Sequence, residues 1–285
     1  QWMNSIGAND VMAPPAVDPI ASSLKTRVIS TVVLLPIVVA LLYVGGLGFA
    51  LFLALVAILM AGEWDRLTGG RGFGQQGVML AAGLVLALTL GYLGKMDWAL
   101  LALLPIAVVL ALLGQFWGSG MVWPVLGLFW LGLPCLALMW LRMGDQGMLA
   151  VLWLFLSVWS CDTGAYISGR SIGGPKLAPG ISPNKTWAGL LGGILAAAVA
   201  SMLLALISGS GSIMLFAILG ALLALISQCG DLAESSLKRR FDVKDTGTLI
   251  PGHGGILDRA DGVLFAAPAL VLFFMIHETG FSPWY

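Results

Sequence analysis

The run Trp187-Ala188-Gly189-Leu190-Leu191-Gly192-Gly193-Ile194-Leu195-Ala196-Ala197-Ala198-Val199-Ala200-Ser201-Met202-Leu203-Leu204-Ala205-Leu206-Ile207 has no charged residue in 21 positions. As a helix it is about 30 Å long, the thickness of a bilayer's hydrocarbon core. Backbone in lipid must satisfy its own hydrogen bonds, which leaves helices or a closed barrel. Alternating ten-residue strands are absent from the sequence, so helices are expected. Working outward, eight more apolar runs appear: Val28–Val44, Leu47–Ala61, Val78–Leu93, Trp98–Leu113, Val122–Leu141, Met148–Cys161, Ile213–Cys229 and Val263–Ile276. The second and sixth in chain order are short and must tilt little or recruit their flanks. Pro36, Pro105, Pro134 and Pro268 fall inside runs, where each removes one backbone bond and permits a kink. The chain is 59% hydrophobic and 10% charged, against about 25% charged in a soluble domain. The reading is an all-α polytopic integral membrane protein with about nine transmembrane helices.

Charge distribution sets the expected topology. Twelve of the fourteen Lys and Arg lie before run one or after runs two, six and eight; only Lys95 and Arg142 lie on the other side. The positive-inside rule then puts the N-terminus in the cytoplasm and the C-terminus outside. Residues 1–22 carry Pro14, Pro15, Pro19, Asp10 and Asp18, lack the layout of a signal peptide, and read as a disordered cytoplasmic tail. Residues 23–145 then form amino-terminal transmembrane helices. Residues 146–285 form a carboxy-terminal region with cytoplasmic loops at 162–186 and 230–262. Cys135, Cys161 and Cys229 show neither pairing nor metal spacing and read as core residues. Tryptophans 64, 98, 117, 123, 140, 153, 159, 187 and 284, mostly near run ends, read as an aromatic belt. Gly189 and Gly193 form a GxxxG pair suited to close helix packing or a dimer face.

The two polar loops carry the chemistry. The first, from Asp162 to Gly189, is glycine-rich and basic, and Lys185-Thr186 opens run seven. Backbone amides there can cradle phosphate oxygens and a helix N-terminus favours anions. In the second, Asp231, Glu234, Ser235 and Lys238 share one face if the helix of run eight continues. Asp258 and Asp261 share a face if a helix starts near Gly255. Two carboxylate faces at one membrane boundary make an all-oxygen site of the kind Mg²⁺ takes together with phosphates and water. The interspersed Lys and Arg suit a metal–triphosphate better than a bare cation. On these residues alone, a flexible basic loop and a salt-bridged connector remain open readings.

The order Ser235-x-Leu237-Lys238-Arg239, Lys244-Asp245-x-Gly247 and Ile250-Pro251-x-His253-Gly254-Gly255-Ile256-x-Asp258-Arg259-x-Asp261 resembles the signature of the phosphatidate cytidylyltransferases, or CDP-diacylglycerol synthases. Asp162, Gly164-Ala165-Tyr166, Gly169-Arg170, Lys176-Leu177 and Ile181-Ser182-Pro183-x-Lys185-Thr186 are similar to that family's other segment. The match covers the 100 residues from Asp162 to Asp261. Ala260 and Ala188 depart from it, and Ala188 is left out of the expected site.

The resemblance implies transfer of CMP from CTP to phosphatidic acid, giving CDP-diacylglycerol and pyrophosphate for phospholipid biosynthesis. It further implies a homodimer in the bacterial cytoplasmic (inner) membrane among membrane lipids, a site open to the cytoplasm, and Mg²⁺ with K⁺ as a partner ion. No nucleic-acid partner is expected. Residue by residue it implies Asp231, Asp258, Lys238 and Arg259 as catalytic groups and Asp231, Asp258 and Asp261 as metal ligands. Asp162, Lys176, Ser182, Lys185, Lys238, Arg239, Lys244 and His253 become substrate contacts. Two alternatives stand beside this reading, a polytopic transporter and another lipid phosphotransferase. A transporter wants ionisable groups near the bilayer midplane, whereas here nearly all lie in loops. The CDP-alcohol phosphatidyltransferase pattern is absent.

Overall fold

The computed structural model describes residues 19–277 except 71, 118–119, 210–211 and 253. Each expected run becomes a helix: α1 (Pro19–Val44), α2 (Gly46–Leu67), α3 (Gln75–Tyr92), α4 (Met96–Phe116), α5 (Val122–Met143), α6 (Gly147–Ser171), α7 (Trp187–Ser208), α8 (Ile213–Arg240) and α9 (Leu257–His277). Among the described residues, α2 to α9 are long and apolar enough to cross a membrane, and α1 contributes the shorter apolar stretch Val32–Val44. A short antiparallel hairpin, β1 (Lys176–Ala178) with β2 (Ser182–Thr186), precedes α7. Residues 1–18 of the expected tail lie outside the described residues, and 19–22 are the first turn of α1.

The principal difference from the expectation is where helices stop. The stretch expected as a loop from 162 is helical to Ser171, and the one expected from 230 is helical to Arg240. The 25 residues of α6 and 28 of α8 span about 37 and 42 Å, longer than a bilayer core of about 30 Å. Their polar ends therefore project past the hydrocarbon and present side chains from a rigid scaffold. The short runs two and six recruit their flanks in just this way. Of those two stretches, 172–186, which holds the hairpin, and 241–256 remain outside the helices.

Local chemistry sets the ends. Thr186 is the N-cap of α7, its hydroxyl accepting from the Gly189 amide at 3.0 Å. Ser212 caps α8 through the Leu215 amide at 3.4 Å. Such caps satisfy donors a helix start leaves open. Gly209, at φ 64, ends α7 in the left-handed conformation glycine adopts without strain.

Two groups of helices pack together. In the first, α3 and α5 each pack on α2, on α4 and on one another; in the second, α6–α7, α7–α8 and α8–α9 pack, and α5 joins the groups by packing on α9 and α6. The α6–α7 contact is the most extensive. A Cβ at Gly193 would meet the Cys161 carbonyl oxygen at 2.8 Å, and one at Gly189 the Ala165 oxygen at 3.0 Å. The GxxxG pair thus serves packing within the chain. Trp64 and Trp153 do not join an aromatic belt. Both are fully buried, their indole N–H groups donating to the Trp123 carbonyl and to Ser201 Oγ, each at 2.9 Å.

Alternation brings one set of helix ends together. Ser30 of α1 donates to the Pro251 carbonyl at 2.9 Å, and the ring of Trp123 at the start of α5 meets Phe241 after α8 at 4.9 Å. At the opposite end, Arg142 donates to the Leu42 carbonyl at 2.8 Å, closing α1 against α5.

Candidate active site

The projecting ends of α6 and α8, the hairpin and the start of α9 enclose a cavity of about 830 Å³. α6 supplies Asp162, Tyr166 and Arg170, spaced four apart and so on one face. α8 supplies Gln228, Asp231 and Lys238; α9 supplies Asp258, Arg259 and Asp261; β2 supplies Lys185. The sequence reading thus converges for Asp162, Lys185, Asp231, Lys238, Asp258, Arg259 and Asp261, which all line one space.

Its two walls are wired differently. On the α6–α8 side, Lys185 pairs with Asp231 Oδ2 at 2.6 Å and donates to Gln228 Oε1 at 3.2 Å. Gln228 donates to Asp162 Oδ1 at 3.3 Å, and Ser235 donates to Asp231 Oδ1 at 3.2 Å. These are side chain to side chain bonds that a bound anion or cation can exchange. On the α9 side, Asp258 is occupied by four donors. Lys238 binds Oδ1 at 2.8 Å, while Oδ2 accepts from the Thr246 amide at 2.9 Å, the Thr246 hydroxyl at 3.0 Å and the Gly255 amide at 2.8 Å. Asp258 fixes the 241–256 loop to the first turn of α9, and Lys238, expected to meet phosphate, bridges Asp258 and Glu234. Glu234 is fully buried with its second oxygen, Oε2, unpartnered among the described residues.

Of the other predicted contacts, Lys176, Ser182, Arg239 and Lys244 lie outside the cavity lining. Lys176 and Lys244 are exposed, and Ser182 sits at the hairpin turn paired with Ala178. Arg239 donates to the Ile181 and Val243 carbonyls at 3.4 and 3.3 Å, tying the hairpin to α8. His253 lies outside the described residues.

Three carboxylates of the cavity could meet a divalent cation. Asp162, Asp231 and Asp261 bear on one another electrostatically, and Asp261 accepts, among the described residues, only from the Gly262 amide at 2.7 Å. Their oxygens suit a hard cation. No three His, Cys, Asp or Glu among the described residues stand close enough to hold a metal by themselves. Mg²⁺ takes one or two carboxylates and completes its shell with water and phosphate. Asp231 and Asp261 fit this role, and Asp258, also expected as a ligand, holds Lys238 on Oδ1 and three further donors on Oδ2.

One residue went unread in the sequence. Glu63 of α2, 5% exposed, accepts from the Ile256 amide at 2.9 Å, the Leu257 amide at 2.8 Å and the Thr246 hydroxyl at 3.2 Å. An acid two positions past the apolar run Leu47–Ala61 is the signal that marks it.

Comparison with known proteins agrees with this geometry. The sequence matches the family described as the cytidylyltransferase family over residues 25–277. It is 43% identical over 258 residues to the phosphatidate cytidylyltransferase of Brucella suis biovar 1 (strain 1330), covering 88% of this chain and 93% of that protein. The Haemophilus influenzae (strain ATCC 51907 / DSM 11121 / KW20 / Rd) protein of the same name is 35% identical over 284 residues, with 88% and 98% covered. The Rickettsia felis (strain ATCC VR-1525 / URRWXCal2) one is 40% identical over 184 residues, with 61% and 80% covered. A match spanning nearly every helix, and a cavity built from the resembling segments, place this chain in the cytidylyltransferase family, among the phosphatidate cytidylyltransferases.

Proposed function

We infer that the protein transfers CMP from CTP to phosphatidic acid, releasing pyrophosphate and leaving CDP-diacylglycerol in the membrane. The observation that carries this reading is the convergence of exchangeable acids and cations, Asp231, Asp261, Lys185 and Arg259, in one cavity at the ends of membrane-spanning helices. A water-borne nucleotide and a lipid can meet there. A transporter is not favoured, since the relatives share an enzyme's name along most of their length.

The phosphatidate phosphate is anionic near neutral pH, so it attacks the α-phosphorus of CTP without a general base. One P–O bond forms to the lipid phosphate and one breaks to pyrophosphate. The chain's task is positioning and charge neutralisation, as in phosphoryl transfer generally. Lys185 exchanges Asp231 and Gln228 for a phosphate oxygen. Arg259 offers a planar, bidentate donor, and Arg170, held by the Tyr166 hydroxyl at 2.7 Å, offers a second. Mg²⁺ held by Asp231 and Asp261 would supply charge neutralisation on the triphosphate and the leaving pyrophosphate.

The proposal extends to K⁺ beside Mg²⁺, to a homodimer and to a bacterial cytoplasmic membrane with the cavity facing the cytoplasm. The orientation is supported by Arg66, Arg170, Lys176, Lys185, Lys238 and Arg239 clustering at the cavity end, with Lys95 and Arg142 at the other. The test uses purified protein in detergent, phosphatidic acid, Mg²⁺ and CTP labelled at the α-phosphorus. Label is expected in the organic phase and is expected to vanish with EDTA. Label remaining in water despite a folded, CTP-binding protein would overturn the reaction assignment.

A further inference from the structure

We propose that Glu63, an acid of the amino-terminal helices outside the cavity lining, is a positioning residue that sets the α9 wall of the site. The proposal rests on the reaction assigned above. Glu63 meets backbone rather than cations: among the described residues it forms no salt bridge. Its two oxygens take the amides of Ile256 and Leu257, immediately before Asp258 and Arg259. A helix start offers open amides and a partial positive charge. At α9 the chain fills that place with its own carboxylates, Glu63 and Asp258 together accepting from three consecutive amides, 255 to 257.

The two acids also share Thr246. Its hydroxyl lies 3.2 Å from Glu63 Oε2 and 3.0 Å from Asp258 Oδ2. One proton serves two carboxylates, so a shift of Glu63 reaches Asp258 directly, and through it Lys238. The space is shaped for the acid. A Cβ at Gly247 would stand 2.7 Å from Glu63 Oε1 and one at Gly255 2.5 Å from Oε2. Because Asp258 and Arg259 occupy the first turn of α9 and Asp261 opens the second, the register of that start decides where Arg259 and Asp261 sit in the cavity.

Glu63→Gln keeps volume but replaces one acceptor by a donor that faces an amide. Backbone amide exchange, read by mass spectrometry in detergent, should speed up in the peptide covering 255–258 while the rest of α9 stays protected. At saturating substrates kcat should fall on the order of 10- to 100-fold, the scale of an ångström-level misplacement. KM for CTP should change by a smaller factor than kcat, since Arg259 and Asp261 are displaced while the cations of the α6–α8 wall are untouched. Leu84→Ala, a buried core truncation on α3, is the comparison: it should lower the thermal midpoint and keep kcat per folded molecule. Unchanged exchange at 255–258, or wild-type kcat in Glu63→Gln, would overturn the proposal. If Glu63→Gln does not accumulate, Thr246→Val carries the same test with a smaller loss. Absence of CTP-dependent product in the unmutated protein would overturn the reaction instead, and the exchange result would still decide the role of Glu63.

Discussion

The cavity has one wall made to exchange partners and one made to stay. Asp231 on α8 is partly open, its side chain 28% exposed, and holds Lys185, itself 18% exposed. Asp258 on α9 is 2% exposed at its side chain and holds four donors. Both are aspartates lining one space. The difference teaches that an acid's role follows from what its oxygens already hold. A carboxylate paired with another flexible side chain can trade it for a ligand. One that also holds two backbone amides and a hydroxyl fixes a loop as well as facing the cavity.

Substitutions can break that contrast. Asp258→Asn should have the largest effect because it strikes both activity and fold. The carboxamide cannot accept from Lys238 and three further donors, and the unsatisfied groups should cost about 3 kcal/mol. Thermal denaturation in detergent should show the drop, and turnover should be lost with it. Asp231→Asn should separate the two properties: kcat lower by on the order of 10³-fold, the scale of losing a charge-stabilising group, with stability within about 0.5 kcal/mol, as for other partly exposed pairs. Equal destabilisation by both substitutions would erase the distinction between the walls. Arg239→Ala should be mildest, lowering kcat severalfold at most by loosening the hairpin that carries Lys185; a loss as deep as that of Asp231→Asn would return Arg239 to direct phosphate contact.

The sequence made the membrane architecture legible because apolar length is a one-dimensional signal. All nine runs became helices. It misjudged where α6 and α8 end, since polar residues past a bilayer face continue a helix as readily as they leave it. The i, i+3, i+4 spacing of Asp231, Glu234, Ser235 and Lys238 did identify one helical face, and the acids at 258 and 261 did reach the same cavity. What the pattern could not carry was pairing. Lys238 and Asp258 were both legible as charged site residues, but not as each other's partner across 20 positions. Glu63 was harder still, for its partners are main-chain amides, which every residue but proline owns and which leave no mark in composition.

The reach of Glu63 also orders the protein's making. Its acceptor stands 194 residues ahead of the Leu257 amide that it takes. At typical synthesis rates of 5–20 residues per second, about 10 to 40 s pass between the two. During that interval α2 is already made, and its acid has no amide to hold. The cavity's fixed wall can close only when α9 arrives. Catalytic competence therefore waits for α9, and a chain arrested before it would be a membrane protein with helices in place and no assembled site.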